Sequence, residues 1–416
     1  MKKNLLYNIL LIVIPFTGSG CGEKTGQTDF DFRYITAVEV NRPKALDVKI
    51  DNFMRTVTIQ FPMGTNISET EINIIPAADV KMIEPSITTS TYNLTANASF
   101  KIQKGNETLT YRLLANFASV SFEPPSDEWE KRSDFGTLPD YLSVYKYTRS
   151  ISGKQVQAYI AVADITEGKA RFRVLGEKTG SQTPKQFYEN NSRPGIVLNG
   201  GYFWSGTSLG LMVRDGKIIS GAQQIVYRDY NGKSTEYYPT LGAFGTNPDN
   251  TFGAYWVYES ENTLYTYPHP SPNKTGEAPQ PVPSPGFPEG GKVWKPQHAI
   301  GAGPLLITKG TYKNLWEPEM FDALSGVGPT VNHPRSAIGY HPSGHLVLFV
   351  CEGRNKTPNA PGLTLKEVSD ILLRAGCTEA INLDGGGSSC MLVNGAETIK
   401  PSDGNQRTVT NAVAIY

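Results

Sequence analysis

The stretch His345–Ser389 decides the fold of this chain. It begins with HLVLFVC (His345–Cys351), continues with TLKEVSDILLRAG (Thr364–Gly376) and ends with EAINLDGGGSS (Glu379–Ser389). The first and last segments open as short apolar runs that are typical of buried strands. The middle segment has a capping box, apolar residues at helical spacing and a terminal glycine, and so predicts a helix. Strand, helix and strand in this length predict a βαβ unit whose two strands are parallel neighbours.

Polar residues follow both predicted strands at their carboxyl ends, the edge where α/β proteins place their sites. They are Glu352 and Arg354 after the first strand, and Asp384, Gly385, Gly386, Gly387, Ser388 and Ser389 after the second. Because neighbouring parallel strands end at the same edge, we expect Glu352 and Asp384 to lie close together. A carboxylate pair is the minimum equipment for glycoside hydrolysis. The same pair can instead hold a hard cation such as Ca²⁺ or Mg²⁺, and the residues leave both uses open.

The glycine run predicts an anion site. Consecutive glycines let backbone N–H groups turn inward as a nest, and Arg335 and Arg354 add fork-shaped donors for phosphate or carboxylate. The run is not a P-loop, because no lysine follows it and Cys390–Val393 is typical of a strand. A bare glycine triplet is also a common tight turn. Asp384 before the triplet and the two hydroxyls after it favour a site.

A second glycine-rich strand end lies upstream. The apolar segment Gly195–Leu198 is followed by Asn199, Gly200, Gly201, Tyr202, Phe203 and Trp204. The Asn199 amide can both donate and accept hydrogen bonds, and the glycines allow close approach of the backbone to a ligand. The aromatic side chains either offer an apolar face to a sugar ring or pack in the core.

Other chemistries have little support in the residues. The five histidines show no metal-ligand spacing. A nucleophilic Cys390 lacks an identifiable histidine partner. Cys351, Cys377 and Cys390 can form one disulfide and one free thiol, or can remain buried thiols, and spacing alone does not decide between these.

Composition and length set the outer bounds. The chain has 416 residues and equal numbers of basic and acidic side chains, 39 of each, which counts against a nucleic-acid partner. Its length predicts more than one domain.

Residues 35–121 show period-2 strands and predict an all-β, immunoglobulin-like sandwich, similar to the N-terminal modules of Bacteroidetes surface lipoproteins. Residues 122–136 predict a linker. Residues 137–416 predict an α+β or mixed α/β catalytic domain whose central sheet contains the βαβ unit.

The first residues have the features of a secretory address. Met1–Gly20 has a basic start, a short apolar run and small residues before Cys21. This order predicts a lipid anchor on Cys21, although Gly18 stands where most lipoboxes have leucine, and plain cleavage or an uncleaved anchor is the alternative. Residues 22–34 then form a tether. The predicted location is the bacterial cell envelope, at the outer membrane or in the periplasm, with the lipid as the membrane contact.

Taken together, the motifs resemble the phosphodiester glycosidase family. They are NGGYF (Asn199–Phe203), GAGPLL (Gly301–Leu306), PRSAIGY (Pro334–Tyr340), EGR (Glu352–Arg354), GLTLKEV (Gly362–Val368), NLDGGGSS (Asn382–Ser389) and PSDGNQR (Pro401–Arg407). By resemblance, the site is lined by Asn199, Arg335, Glu352, Asp384, Gly386 and Ser388, and Arg407 of the last motif joins the substrate-binding set. One departure is that many members carry Asp-Gly-Arg where this chain has Glu352-Gly353-Arg354.

The resemblance implies hydrolysis of the bond between a sugar, such as N-acetylglucosamine, and a phosphodiester oxygen. Asp384 is then nucleophile or base, Glu352 its partner or a cation ligand, and Arg335 with the glycine backbone holds the phosphate. Two rivals remain. One is a glycan-binding surface lipoprotein without catalysis, and the other is a phosphodiesterase that releases sugar phosphate from an envelope polymer.

Overall fold

The computed structural model of the protein describes residues 33–62, 65–118, 122–248, 250–313 and 315–416. The predicted signal segment, the lipidation site Cys21 and most of the predicted tether lie outside these ranges. No helix within them is long and apolar enough to cross a membrane.

The N-terminal domain consists of two sheets that share one hydrophobic core. Its strands are β1 (Ile35–Arg42), β2 (Asp47–Asp51), β3 (Thr56–Pro62), β4 (Thr70–Pro76), β5 (Val80–Glu84), β6 (Thr89–Tyr92), β7 (Ala98–Lys104) and β8 (Glu107–Ala118). One sheet has the order β1-β4-β6, and the other has the order β2-β3-β8-β7-β5. Alternating apolar residues of both sheets face each other in this core. The predicted β-sandwich is present. Its resemblance to immunoglobulin-like domains stays a prediction.

The C-terminal domain is built mostly from strands. They are β9 (Trp129–Arg132), β10 (Leu142–Tyr147), β11 (Ala158–Asp164), β12 (Phe172–Gly176), β13 (Ile196–Asn199), β14 (Phe203–Trp204), β15 (Thr207–Ser208), β16 (Met212–Arg214), β17 (Lys217–Ser220), β18 (Val226–Tyr230), β19 (Lys233–Tyr237), β20 (Leu241–Thr246), β21 (Phe252–Ser260), β22 (Thr263–Tyr267), β23 (Lys292–Val293), β24 (Ala299–Gly301), β25 (Leu305–Thr308), β26 (Thr311–Tyr312), β27 (Arg335–His341), β28 (His345–Cys351), β29 (Glu379–Asn382), β30 (Met391–Val393), β31 (Ala396–Glu397) and β32 (Asn411–Ile415). The described α-helices are α1 (Pro184–Asn190) and α2 (Leu365–Arg374), and short 3-10 turns lie at Thr166–Gly168, Ala323–Ser325 and Gly386–Ser388.

Three sheets meet in the interior of this domain. Their orders are β26-β25-β29-β27-β28-β11-β10-β9, β12-β32-β13-β30-β31 and β17-β16-β24-β20-β21-β22-β23. Apolar residues from all three form one core, whereas the opposite face of the eight-stranded sheet packs on helix α2. The strand ends that carry the predicted site residues therefore point toward the meeting of the sheets.

The predicted βαβ unit is correct in its elements and wrong in its pairing. Strand β28 and strand β29 run in the same direction, because each pairs antiparallel with β27. They are not neighbours, since β27 lies between them. The preceding segment RSAIGYH forms a tight hairpin with β28 and so occupies the position that the sequence pattern assigned to β29. The domain has mostly antiparallel β architecture rather than a mixed α/β sheet.

Helix α2 forms as its sequence predicts. The Thr364 hydroxyl accepts from the Glu367 backbone N–H, and the Glu367 carboxylate accepts from the Thr364 N–H, which completes the capping box. Leu365, Val368, Ile371 and Leu372 are buried on one face. Gly376 follows with a φ of +82°, the left-handed conformation that ends a helix at little cost for glycine.

The predicted linker at 122–136 is partly a strand. Trp129–Arg132 forms β9, the edge strand that pairs with β10, and the Trp129 side chain is buried. Phe122 also packs against the core of the larger domain. The charged residues and prolines of this segment led to the prediction of a linker, but its strand β9 is part of the sheet. Cys351, Cys377 and Cys390 are all buried free thiols.

Candidate active site

A cavity of about 440 Å³ lies where the sheets meet. Its walls are contributed by segments far apart in the sequence, and its polar residues include Gln223, Arg228, Glu319, Ser325, His333, Arg335, Arg354, Asn382, Asp384 and Arg407. Aromatic and aliphatic side chains form the rest of the lining. A concave, largely apolar site with a few convergent polar groups is typical of a small-molecule pocket.

Asp384 is one of the carboxyl groups that line the cavity. Burial raises its pKa from 3.8 to about 6, and the Ser388 hydroxyl, the Arg407 charge and the Gly385 N–H limit the rise. A carboxyl group that titrates this close to neutral pH can exchange a proton during a reaction. Its backbone is fixed, because the Asp384 N–H donates to the Gly200 carbonyl at 2.9 Å.

Asn199 holds Asp384 in place and does not line the cavity. Its Nδ2 donates to the Asp384 carbonyl oxygen at 2.6 Å. Its Oδ1 accepts from the Ser336 hydroxyl at 2.6 Å and from the Cys390 N–H at 3.1 Å. The side chain is fully buried. The sequence predicted substrate contact for this amide, and the structure instead makes it a clamp that joins three chain segments behind the carboxylate.

The glycines after Asn199 serve backbone packing. A Cβ on Gly200 would overlap the Asn411 side chain, and a Cβ on Gly201 would overlap the Gly301 carbonyl. Neither glycine lines the cavity. Tyr202 does line it. The Tyr202 hydroxyl donates to the Gly303 carbonyl at 2.6 Å, and burial together with the nearby Asp384 raises its pKa.

The glycine loop after Asp384 lines the cavity, but its N–H groups are partly used. The Gly386 N–H donates to the Pro334 carbonyl at 2.9 Å, and the Gly385 N–H faces Asp384. The predicted anion nest, in which the N–H groups of the three glycines are free to bind a ligand, is therefore not present. A Cβ on Gly387 would overlap Asp403 and Arg407, and a Cβ on Gly386 would lie 3.0 Å from Arg354 Nη2. The absence of side chains lets cationic groups lie against the loop.

Arg354 and Arg407 form the cationic side of the cavity. The Arg354 Nη1 donates to Asp403 Oδ1 at 2.8 Å, and the Arg407 Nε donates to Asp403 Oδ2 at 3.1 Å. One carboxylate thus orients two guanidinium groups. Within the described residues, Arg354 Nη2 and Arg407 Nη1 have no protein acceptor and line the cavity. Free guanidinium donors on a shared wall suit phosphate oxygens.

Arg335 has a different role from the predicted one. Its guanidinium is 2% exposed and donates to four backbone carbonyls, those of Leu363, Val327, Gly328 and Val331, at 2.6 to 2.9 Å. Four of its five N–H groups are therefore spent inside the protein. Arg335 shapes the cavity wall by holding these loops, and the fork that the sequence suggested for phosphate is not free.

Glu352 lies away from the cavity. Its Oε2 accepts from the Lys400 N–H at 3.3 Å, and its Oε1 is buried without a partner among the described residues. Because β27 lies between β28 and β29, the ends of these two strands are separated by two strand spacings, roughly 10 Å. The predicted pairing of these carboxylates assumed adjacent strands, and that assumption was wrong.

Ser388 and Ser389 are buried behind the glycine loop and do not line the cavity. Both hydroxyls lack a hydrogen-bond partner among the described residues, and Ser388 lowers the pKa of the nearby Asp384. For the metal hypothesis, no three His, Cys, Asp or Glu side chains converge within the described ranges. We therefore derive no step through a cation.

Glu319 is a cavity residue that sequence reasoning missed. It is 1% exposed, and burial raises its pKa to about 7. The carboxylate accepts from the Gly242 N–H at 3.0 Å, the Leu305 N–H at 3.0 Å and the Trp256 indole N–H at 2.9 Å. It ties the segment 317–325 to two sheets. The sequence carried no signal for it, since Glu319 stands in an irregular segment without a motif that we recognised.

A buried ion pair completes the same wall. Arg228 donates to Asp322 at 2.6 and 2.8 Å and to the Met320 carbonyl at 3.0 Å. Both charged side chains are largely buried, and the Arg228 guanidinium with other hydrogen bonds lowers the pKa of Asp322 against the effect of burial. The wall opposite the glycine loop is thus held by two charged anchors, Glu319 and Asp322.

Comparison with known proteins agrees with this picture. A family model described as phosphodiester glycosidase matches residues 192–416. The human N-acetylglucosamine-1-phosphodiester alpha-N-acetylglucosaminidase is 42% identical over 69 residues, which are 17% of this chain and 13% of that protein. The SPbeta prophage-derived uncharacterized protein YomE of Bacillus subtilis (strain 168) is 32% identical over 120 residues, 27% of this chain and 18% of that protein. These matches span less than a fifth of each relative's length.

Among solved structures, the catalytic domain of the zebrafish N-acetylglucosamine-1-phosphodiester alpha-N-acetylglucosaminidase, auto-inhibited by its pro-peptide, is 18% identical with a TM-score of 0.47. It covers 70% of this chain and 91% of its own. A hypothetical protein from Synechocystis is 16% identical with a TM-score of 0.46, over 84% of this chain and 74% of its own. The family match spans more than half of the chain and contains every cavity residue named above. The chain therefore belongs to the phosphodiester glycosidase family.

Proposed function

We propose that the protein hydrolyses the bond between a sugar's anomeric carbon and a phosphodiester oxygen, and releases a free sugar and a phosphomonoester. The sugar we expect is N-acetylglucosamine or a close analogue, because the human relative is an N-acetylglucosamine-1-phosphodiester alpha-N-acetylglucosaminidase. The single observation that carries the proposal is the placement of a titratable carboxyl, Asp384, beside two guanidinium groups in one cavity.

The guanidinium groups suit the leaving group. As the C1–O bond breaks, its electron pair moves to the phosphate oxygen, and negative charge grows on the phosphomonoester. Arg354 and Arg407 each keep a free donor on the cavity wall, and Asp403 holds both in position. Donors that are fixed before the reaction stabilise developing charge without having to reorganise. Phosphate leaves well, so strong proton donation to the leaving oxygen is not required.

Asp384 is suited to the attack on the anomeric carbon. In its ionised form it either attacks the anomeric carbon or takes a proton from the water that does so. In both cases water supplies the hydroxyl of the released sugar, and its remaining proton leaves to solvent. Asn199 holds the Asp384 backbone in place, and the Gly385 N–H faces the carboxyl. Arg335 and Glu352 are positioning or structural residues in this scheme rather than reacting groups.

The proposal retains the cellular setting that the sequence suggests. We expect Cys21 to carry a lipid that anchors the chain in a bacterial cell envelope, where phosphodiester-linked sugars occur in polymers. Labelling of growing cells with an alkyne fatty acid tests this point. The Cys21→Ala variant must lose the label, and labelling of that variant would contradict the anchor.

The decisive experiment for activity measures products. The purified full chain is incubated with α-N-acetylglucosamine-1-phospho-mannoside, and free N-acetylglucosamine and mannose phosphate are quantified by chromatography. We expect both products from wild type and a loss of more than about 10²-fold in kcat for Asp384→Asn. The matched control is Asp370→Asn, because the salt-bridge partner of this surface carboxylate among the described residues is Lys366 on helix α2.

Two outcomes separate the rivals. Release of N-acetylglucosamine 1-phosphate instead of the free sugar would identify a phosphodiesterase. Saturable binding of the substrate without either product would identify a glycan-binding protein. Equal activity of Asp384→Asn and wild type would remove Asp384 from the chemistry.

A further inference from the structure

The mouth of the cavity displays two large apolar side chains that the fold itself does not use. Trp204 is 77% exposed and Leu324 is 73% exposed, and both line the cavity. Neither belongs to a hydrophobic cluster of the described residues. Exposed apolar groups of this size, when they border a pocket, mark a surface that binds something.

Trp204 is held on a fixed hairpin. Strands β14 and β15 pair around Ser205 and Gly206, whose φ angles of +48° and +73° make the two-residue turn typical of a hairpin. The turn is tied to the neighbouring chain, because the Gly180 N–H donates to the Gly206 carbonyl at 2.8 Å and the Ser208 N–H donates to the Lys178 carbonyl at 2.8 Å. The backbone that carries the indole is therefore defined although the indole itself is exposed.

Leu324 is held just as firmly on another segment. Its N–H donates to Asp322 Oδ1 at 3.1 Å and starts the 3-10 turn at Ala323–Ser325. Asp322 is in turn bound by Arg228. The exposure of Leu324 is thus imposed by a buried ion pair and does not result from a loose loop.

The spacing of these residues relates them to the reacting carboxyl. Tyr202, two residues before Trp204, receives a hydrogen bond of 2.8 Å at its hydroxyl from Asn382, which precedes Asp384 by two residues. Trp204 and Asp384 line the same cavity, and Trp204 is 77% exposed, so we place the indole toward the cavity mouth rather than at the carboxyl. The ring face of an indole is a good surface for the C–H face of a pyranose.

We propose that Trp204 and Leu324 form a subsite for a second sugar ring, adjoining the one whose bond is cleaved, so that the substrate is an oligosaccharide phosphodiester rather than a single sugar. The inference rests on the proposed function. Beyond it, the inference specifies that the substrate has at least two sugar rings. The apolar pair contacts the carbohydrate only by van der Waals packing, so it selects for length and not for charge.

The kinetic test compares three substrates. They are N-acetylglucosamine 1-(methyl phosphate), a disaccharide 1-(methyl phosphate), and α-N-acetylglucosamine-1-phospho-mannoside. For Trp204→Ala we expect KM to rise roughly tenfold on at least one of the two-ring substrates and to stay unchanged on the one-ring substrate. Trp204→Phe keeps an aromatic face and should restore most of the loss. Tyr227→Ala is the matched control, since Tyr227 is 57% exposed but does not line the cavity.

The outcomes are distinct from those of the proposed function. Equal KM changes on all three substrates, or no change on any, would overturn the subsite. If wild type cleaves none of them, the proposed function fails, and the subsite is then tested by calorimetric titration of oligosaccharides into Asp384→Asn and Asp384→Asn/Trp204→Ala. Saturable binding that the second variant loses supports the subsite, and equal binding or none overturns it.

Discussion

The side-chain amide of Asn199 donates a 2.6 Å hydrogen bond to the backbone carbonyl of Asp384. This bond crosses from the five-stranded sheet to the loop that carries the Asp384 carboxyl. The same amide oxygen accepts from Ser336 and from Cys390. One buried side chain therefore fixes where three segments meet, and the position of Asp384 depends on it.

The first prediction concerns this clamp. Asn199→Ala removes three buried hydrogen bonds and leaves their partners unsatisfied, so the free energy of unfolding should fall by about 3 kcal/mol. kcat should fall as well, because Asp384 loses its anchor, while KM changes little. Urea unfolding and steady-state kinetics measure both effects. Asn190→Ala is the control, since Asn190 is exposed and its side chain bonds Gln182 alone within the part of the chain that the structure describes. A fully stable and active Asn199→Ala would refute the positioning role.

The second prediction is a pH profile. Burial raises the pKa of Asp384 to about 6. If the ionised carboxylate reacts, kcat/KM should fall about tenfold for each pH unit below that value. The profile is measured between pH 4 and pH 8 with α-N-acetylglucosamine-1-phospho-mannoside. Activity that rises toward acid would show that the protonated form is the active one.

The third prediction links this carboxyl to stability. Its pKa is raised in the folded state, so between the unfolded value of 3.8 and about 6 the folded protein holds a proton that the unfolded chain releases. The contribution of Asp384 therefore becomes less favourable as pH rises through that window and stays so above it. Asp384→Asn should be more stable than wild type at pH 8, by ~3 kcal/mol at most, and not at pH 4. Thermal unfolding at both values is the measurement, and a gain at pH 4 alone would contradict the sign.

The fourth prediction tests the cationic wall. Arg407→Ala and Arg354→Ala should each lower kcat/KM by about 10- to 100-fold, because each removes a charge-assisted hydrogen bond to phosphate. Inorganic phosphate should inhibit wild type competitively and inhibit both variants less. Arg149→Ala is the control, since Arg149 pairs with Asp127 at an exposed position. Unchanged phosphate inhibition in both variants would exclude these arginines from the phosphate site.

The fifth prediction concerns the glycine loop. A methyl group on Gly387 would overlap the ends of the Asp403 and Arg407 side chains. These side chains can move aside, so Gly387→Ala should fold with a nearly unchanged melting temperature and lose activity because Arg407 is displaced. Gly286→Ala is the control, because a Cβ there meets nothing within 4 Å. Wild-type activity in Gly387→Ala would show that the close approach has no function.

The sequence by itself determined the local elements and a part of the cavity lining, with Asp384, the glycine loop, Arg354 and Arg407 in it. Period-2 and helical patterns predicted β3, β7, β8, β28, β29 and α2, because such patterns record which face of an element is buried. The motif NLDGGGSS identified Asp384 and the glycine loop, and PSDGNQR supplied Arg407. These assignments depend on residues that are close together in the chain.

Only the tertiary structure decided which partners these residues have. Strand β27 lies between β28 and β29 and keeps Glu352 away from Asp384, and no local pattern records the order of strands in a sheet. The Arg335 guanidinium donates its hydrogen bonds to the backbone carbonyls of four other residues. Glu319 reaches the cavity from an irregular segment. Strand order and hydrogen-bond partners are set by long-range packing, so they appear only when distant segments of the chain meet.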